Sequence, residues 1–103
     1  MKSKAVVYDT LTLYARKHPI QFTVGVGFYG DITDGRVKGI DLNMFRERLE
    51  RENLKLRGKE IKTIFPNYRG METVAEYYLK LFTEADFIKV IENGTEEVEV
   101  WRE

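Results

Sequence analysis

Few side chains in this sequence could do covalent or metal chemistry: there is one histidine, His18, and no cysteine in 103 residues. No thiolate nucleophile, disulfide or cysteine zinc site can be built. His18 stands beside Pro19 at the end of a patterned segment, where a capping or solvated ring is expected rather than a ligand. Gly25-Val26-Gly27-Phe28-Tyr29-Gly30 carries the letters G-x-G-x-x-G, but a dinucleotide loop needs a strand before it and a helix opening on it. These glycines lie inside an alternating strand pattern, and the acidic turn Asp31-Ile32-Thr33-Asp34-Gly35 that follows would repel phosphate. The same turn has Arg36 and Leu42 where a calcium loop needs glycine and glutamate. Asn93-Gly94-Thr95 has the form of a glycosylation sequon, without the secretory leader that would bring it into use. Nothing fixes two carboxylates against an aromatic-lined pocket. The expectation is therefore a binding protein and not an enzyme, with no catalytic residue, cofactor or metal.

Charge is the more informative property. The 17 bases and 17 acids cancel, yet they are unevenly spread. Residues 1–19 hold four bases against one acid, and residues 43–70 hold eight against four, whereas residues 71–103 hold three against nine. A basic middle followed by an acidic end is the most useful electrostatic fact in the sequence.

The elements that must carry these charges follow from periodicity. Residues 4–17 read as a helix, with Val7, Leu11 and Tyr14 at helical spacing and His18-Pro19 as the stop. Ile20, Phe22, Val24, Val26 and Phe28 alternate strictly and predict a half-buried strand. Its other face carries Gly25 and Gly27, which lets another backbone approach or the strand bend. Gly30 to Gly35 reads as a turn, and Arg36 to Ile40 as a short returning strand. A helix capped by Asp41 or Asn43 follows, with Leu42, Phe45 and Leu49 on one side and the i,i+4 pairs Glu47–Arg51, Arg46–Glu50 and Arg48–Glu52 on the other. Ile61, Ile64 and Phe65 mark a short helix over 59–65, broken at Pro66 to Gly70, and Met71 to Glu84 reads as a longer one. Residues 87–91 and 96–101, joined through Asn93-Gly94, give a strong hairpin signal.

With 43% hydrophobic residues and 13 aromatic ones, a core is affordable and disorder is excluded. No apolar run approaches the roughly 20 residues of a membrane helix, and Met1-Lys2-Ser3-Lys4 opens no secretory signal. A single cytoplasmic domain over 1–103 is expected, with no membrane partner. The abundance of Lys, Arg and Glu beside one Gln leans towards a heat-adapted source, although a short chain reaches this balance by chance.

Short helix, five-residue break, longer helix and hairpin together resemble the winged helix-turn-helix family. Gly58-Lys59-Glu60-Ile61 stands for the supporting helix, and Asn67-Tyr68-Arg69-Gly70-Met71-Glu72-Thr73-Val74 for the turn and the start of the recognition helix. Leu79 through Val90 looks like the exit into the wing. The resemblance is of pattern and covers about residues 58–101. It implies an α+β fold, a winged helix-turn-helix with an additional β-hairpin between the first and second helices. It also implies a small transcriptional regulator, a homodimer, that reads duplex DNA with a helix at about 71–84. Arg57, Lys59, Lys62, Asn67, Tyr68, Arg69, Thr73 and Tyr77 would be the DNA-binding residues, with Arg69 foremost because its fork suits guanine and phosphate. Glu92, Glu96, Glu97 and Glu99 in the wing would meet a polyanion. They favour the alternative of a winged-helix module that binds a protein partner through its acidic C-terminal face or its glycine-bearing strand.

Overall fold

The computed structural model describes residues 2–34 and 36–103, so Gly35 of the expected Gly30–Gly35 turn lies outside the described residues. The chain opens with two long strands, β1 (Lys2–Ala15) and β2 (His18–Thr33), followed by the short β3 (Arg36–Val37) and β4 (Ile40–Asp41). Three helices come next, α1 (Leu42–Leu56), α2 (Ile61–Ile64) and α3 (Met71–Leu81), and the hairpin β5 (Phe87–Glu92) and β6 (Glu96–Trp101) ends the order. All strand pairs are antiparallel. β2 is central: β1 runs along it from Lys2↔Asp31 to Ala15↔His18, β5 pairs with Phe22–Gly27, and β3 takes Ile32 and Thr33. β6 then pairs with β5, and β4 with β3.

This arrangement corrects the winged helix-turn-helix expectation. Residues 4–17, expected as the first helix, lie almost wholly in strand β1, so no hairpin is inserted between a first and a second helix. The body of the molecule is a six-stranded sheet with helices laid on it, and β5 sits inside that sheet against β2 instead of projecting as a wing. Leu11 and Leu13 point into the core together with Phe22, Val24, Val26, Phe28, Ile88 and Val90 of the neighbouring strands. The strand alternation in β1 is obscured because Asp9 breaks its inward set while Val6, Tyr8 and Tyr14 make the outward set apolar. Its β-branched and aromatic content, Val6, Val7, Tyr8, Thr10, Thr12 and Tyr14, suits a strand better than a helix.

The helices follow their sequence signals. Asp41 caps α1, its carboxylate accepting from the Asn43 N–H at 3.0 Å. α1 packs on β1 and α3 packs on β5 and β6, both on one sheet face, with Phe45, Leu49, Val74, Ala75, Tyr78 and Phe82 closing the core. Asn93 and Gly94 both adopt positive φ in the β5–β6 turn, closed by the Thr95 N–H to Glu92 carbonyl at 3.1 Å. The glycines of β2 admit neighbouring side chains, not another backbone. A Cβ on Gly27 would stand 2.2 Å from the Phe87 ring, and one on Gly25 would stand 2.7 Å from the Tyr8 ring.

One polar chain runs through the interior. Asn53 of α1 is fully buried; its amide donates to Asp9 Oδ2 at 2.9 Å, and its carbonyl oxygen accepts from the Tyr78 hydroxyl. Arg57 closes the chain, donating to the same Asp9 oxygen at 2.9 Å and to the Thr10 carbonyl at 2.9 Å. The inward carboxylate of β1 is thereby explained. Burial first, and then Tyr77 and Asp9, raise the pKa of the Tyr78 phenol, so it remains a donor.

Replacing Asn53 by Ala strands the Tyr78 hydroxyl and leaves Asp9 with Arg57 alone. It should lower the unfolding free energy by about 2–4 kcal/mol, read as a drop in the urea midpoint at constant slope. Gly27→Ala should cost about 1–3 kcal/mol by the same measurement, because the Phe87 ring must leave its seat.

Candidate nucleic-acid interface

The β1–β2 hairpin turns on two residues, Arg16 and Lys17, between the paired Ala15 and His18. Both turn residues have positive φ, 51° and 71°. A two-residue hairpin turn of this class requires that geometry and ordinarily meets it with Asn-Gly, because a side chain there is strained. The β5–β6 turn of the same protein uses Asn93-Gly94. At the β1–β2 tip the sequence instead holds two long cations in a conformation that disfavours them.

The segment after α1 comes alongside this tip. The Tyr14 N–H donates to the Lys59 carbonyl at 2.9 Å, the Gly58 N–H donates to the Thr12 carbonyl at 2.9 Å, and the Arg16 N–H donates to Glu60 Oε2 at 3.2 Å. Arg16, His18, Glu60 and Lys62 line a shared cavity of about 210 Å³. The α2–α3 loop reaches the same end of the sheet, where the Tyr68 hydroxyl donates to Glu92 Oε1 at 3.3 Å and Arg69 follows. Arg16, Lys17, Lys59, Lys62 and Arg69 are all exposed. None has an ion-pair partner among the described residues. Elsewhere most cations are engaged: Lys4, Lys38, Arg46, Arg48, Lys55, Arg57 and Lys89 each face a carboxylate, and Arg102 donates to three backbone carbonyls.

The eight residues expected to contact DNA are thus separated by the fold. Lys59 and Lys62 stand at the basic end, together with Arg16 and Lys17, which the helix reading of 4–17 hid. The only sequence signal for that pair was the charge excess in residues 1–19. Arg57 is committed to Asp9 and Thr10. Asn67 is exposed in the loop, and the Arg69 N–H is tied to Thr73 Oγ1 at 3.0 Å. Tyr68 is half-buried, and burial with the nearby Glu92 pushes its pKa up to about 12. Tyr77 lies edge-on to Phe65 at 5.3 Å, its pKa raised by burial and then by Glu52. With Thr73 it faces a shallow groove along α3, beside Glu76 and Lys80.

The opposite sheet face carries no helix among the described residues. Phe87 lies over Gly27, Trp101 stacks on Phe87 with ring centroids 4.4 Å apart, and Tyr29 meets Trp101 edge-on at 6.2 Å. Lys4 of β1 crosses β2 and β5 to reach Glu99 of β6 at 3.0 Å, its ammonium 5.3 Å from the Trp101 ring centroid. The Trp101 indole N–H donates to Glu99 at 2.8 Å, and Lys89 pairs with Glu97 at 3.0 Å. Two of the four acids expected to repel a polyanion are therefore neutralised within the sheet, and Glu92 accepts from Tyr68.

Hydrogen bonds from Lys4 and Trp101 hold the Glu99 carboxyl below its ordinary pKa of 4.5. A depressed carboxyl pKa gives stability that is complete above the unfolded value and is lost as pH falls through the folded one. Trp101 is the single tryptophan, so its emission should stay constant from neutral pH down to about 4.5 and shift only below that. Glu99→Gln should show the shifted emission at every pH.

No protein-family model and no curated protein matches the chain.

Proposed function

We propose that this protein binds nucleic acid, duplex DNA in the first instance, through the end of the sheet formed by the β1–β2 tip and the loops around α2. The observation that carries the reading is the pair Arg16-Lys17 at a positive-φ turn, with Lys59 and Lys62 beside it and Arg69 in the loop that reaches Glu92, none of the five side chains being in an ion pair among the described residues. Strained backbone kept in place to project two cations is a mark of a working site. A two-stranded ribbon fits the major groove. In this reading the tip enters the groove, and Lys59, Lys62 and Arg69 neutralise phosphates on either side. α3 plays no part as a reading helix: Val74, Ala75 and Tyr78 are buried against the sheet, and Glu72 and Glu76 stand on its exposed side. The acidic C-terminal face is the weaker candidate, since Glu97 and Glu99 are already paired with Lys89 and Lys4.

The test is fluorescence anisotropy of mixed-sequence duplex DNA across a salt series, with three variants. Wild type should bind with steep salt dependence. Arg16→Asn with Lys17→Gly should weaken binding and reduce the salt slope by about two, yet raise the melting temperature because the turn is relieved. Lys59→Ala with Lys62→Ala should reduce the slope similarly. Arg51→Ala on α1 should change nothing. No binding at low salt, or equal losses from Arg51→Ala and the tip variant, would sink the reading.

A further inference from the structure

We infer that the first half of β1 is a pairing edge for a second copy of this chain, joined antiparallel about a two-fold axis at Val6. In β1 the even-numbered residues direct their backbone groups away from β2. At the tip half one group of each of these residues is occupied: the Tyr14 N–H by the Lys59 carbonyl, the Thr12 carbonyl by the Gly58 N–H, and the Thr10 carbonyl by the Arg57 guanidinium. Nothing covers the other half. The outward N–H and C=O of Val6 and Tyr8 have no hydrogen-bond partner among the described residues, and the Lys4 carbonyl has only a long contact from the Ser3 hydroxyl at 3.4 Å. The side chains along this open stretch are Ala5, Val6, Val7 and Tyr8, with Tyr8 41% exposed. An uncovered edge with four apolar or aromatic residues in a row is a template for another strand.

The occupant is fixed by how the edge matches itself. A two-fold at Val6 sets Val6 against Val6 and Lys4 against Tyr8 in both directions, with two hydrogen bonds per pair and about six in all. The outward groups of Lys4, Val6 and Tyr8 are all used and no occupied one is needed. Each Lys4 then lies beside a tyrosine, and no like charges face each other. Centring on Tyr8 instead would set Lys4 against Thr12, whose carbonyl already holds Gly58. Centring on Lys4 would oppose two ammonium groups. Because the pairing rests on backbone bonds with modest apolar burial, the dimer is expected to be weak, with dissociation on the order of micromolar or above.

The absence of cysteine from the chain makes the register directly readable. Opposed residues of a hydrogen-bonded pair have Cα atoms about 5.5 Å apart, within the range of a disulfide. Val6→Cys should therefore oxidise to a covalent dimer, while Ser3→Cys, exposed but about 20 Å from its own copy in this register, should remain monomeric. Sedimentation equilibrium of the unmodified chain should show dimer between about 10 µM and about 1 mM. Val6→Pro removes the outward N–H and should abolish the dimer with an unchanged circular-dichroism spectrum. If Val6→Pro does not fold, Val6→Lys opposes two charges at the axis and should give the same result. A chain that stays monomeric at about 1 mM, dimers that persist in Val6→Lys, or cross-linking of Ser3→Cys as fast as Val6→Cys would each overturn the assignment.

Discussion

Three elements meet at one buried amide. Asn53 of α1 receives the Tyr78 hydroxyl from α3 and gives its own amide hydrogen to Asp9 of β1, which Arg57 then holds from outside. Hydrophobic contact alone would let two helices slide along a sheet face lined with Leu, Val and Phe. Directional bonds in a dry interior do not tolerate sliding, since each unmet group costs more than a typical made bond contributes. The position of both long helices relative to the strands depends on this chain. So does the departure of the main chain from α1 at Arg57, and hence the placing of Lys59 and Lys62 beside the hairpin tip.

Much of the element content was legible in the sequence, and the way the elements are assembled was not. The strand at β2, the three helices and the Asn93-Gly94 hairpin each had a local signal strong enough to name them: strict alternation, a cap with an apolar stripe, or a turn dipeptide that only one geometry favours. β1 failed because its inward face contains a carboxylate whose partners, Asn53 and Arg57, lie more than forty residues away. Without those partners in view, Asp9 looks like a solvent-facing interruption, and the apolar residues around it fall by accident on helical spacing. That one misassignment put a helix where the sheet has a strand, and so replaced the six-stranded sheet by a winged helix with an inserted hairpin. It also made the order of α2, α3 and β5–β6 resemble a motif whose elements are present but differently packed.

The same misassignment hid the most informative part of the surface. Arg16 and Lys17 look unremarkable at the end of a helix, where bases near the carbonyl terminus are ordinary. At the tip of a hairpin they stand at positive φ, and the protein contains its own comparison in the Asn93-Gly94 turn. Lys59 and Lys62 were legible as bases but not as neighbours of that tip. The acidic C-terminal hairpin shows the converse. Its charge is obvious in the sequence, and its neutralisation by Lys4 and Lys89 depends on which strands lie side by side.

The layer of side chains over Gly27 has a consequence for the time at which the fold can close. Phe87, Glu99 and Trp101 cover a surface built from β1 and β2, so the parts of this layer are synthesised some eighty residues apart. During translation the long N-terminal hairpin leaves the ribosome with both faces bare and waits for the helices and then for β5 and β6. Contacts so distant in sequence make folding slow. In that interval Gly27 faces water, and a nascent chain held by its neighbour or by a chaperone would be recognised on the surface that the finished protein no longer shows.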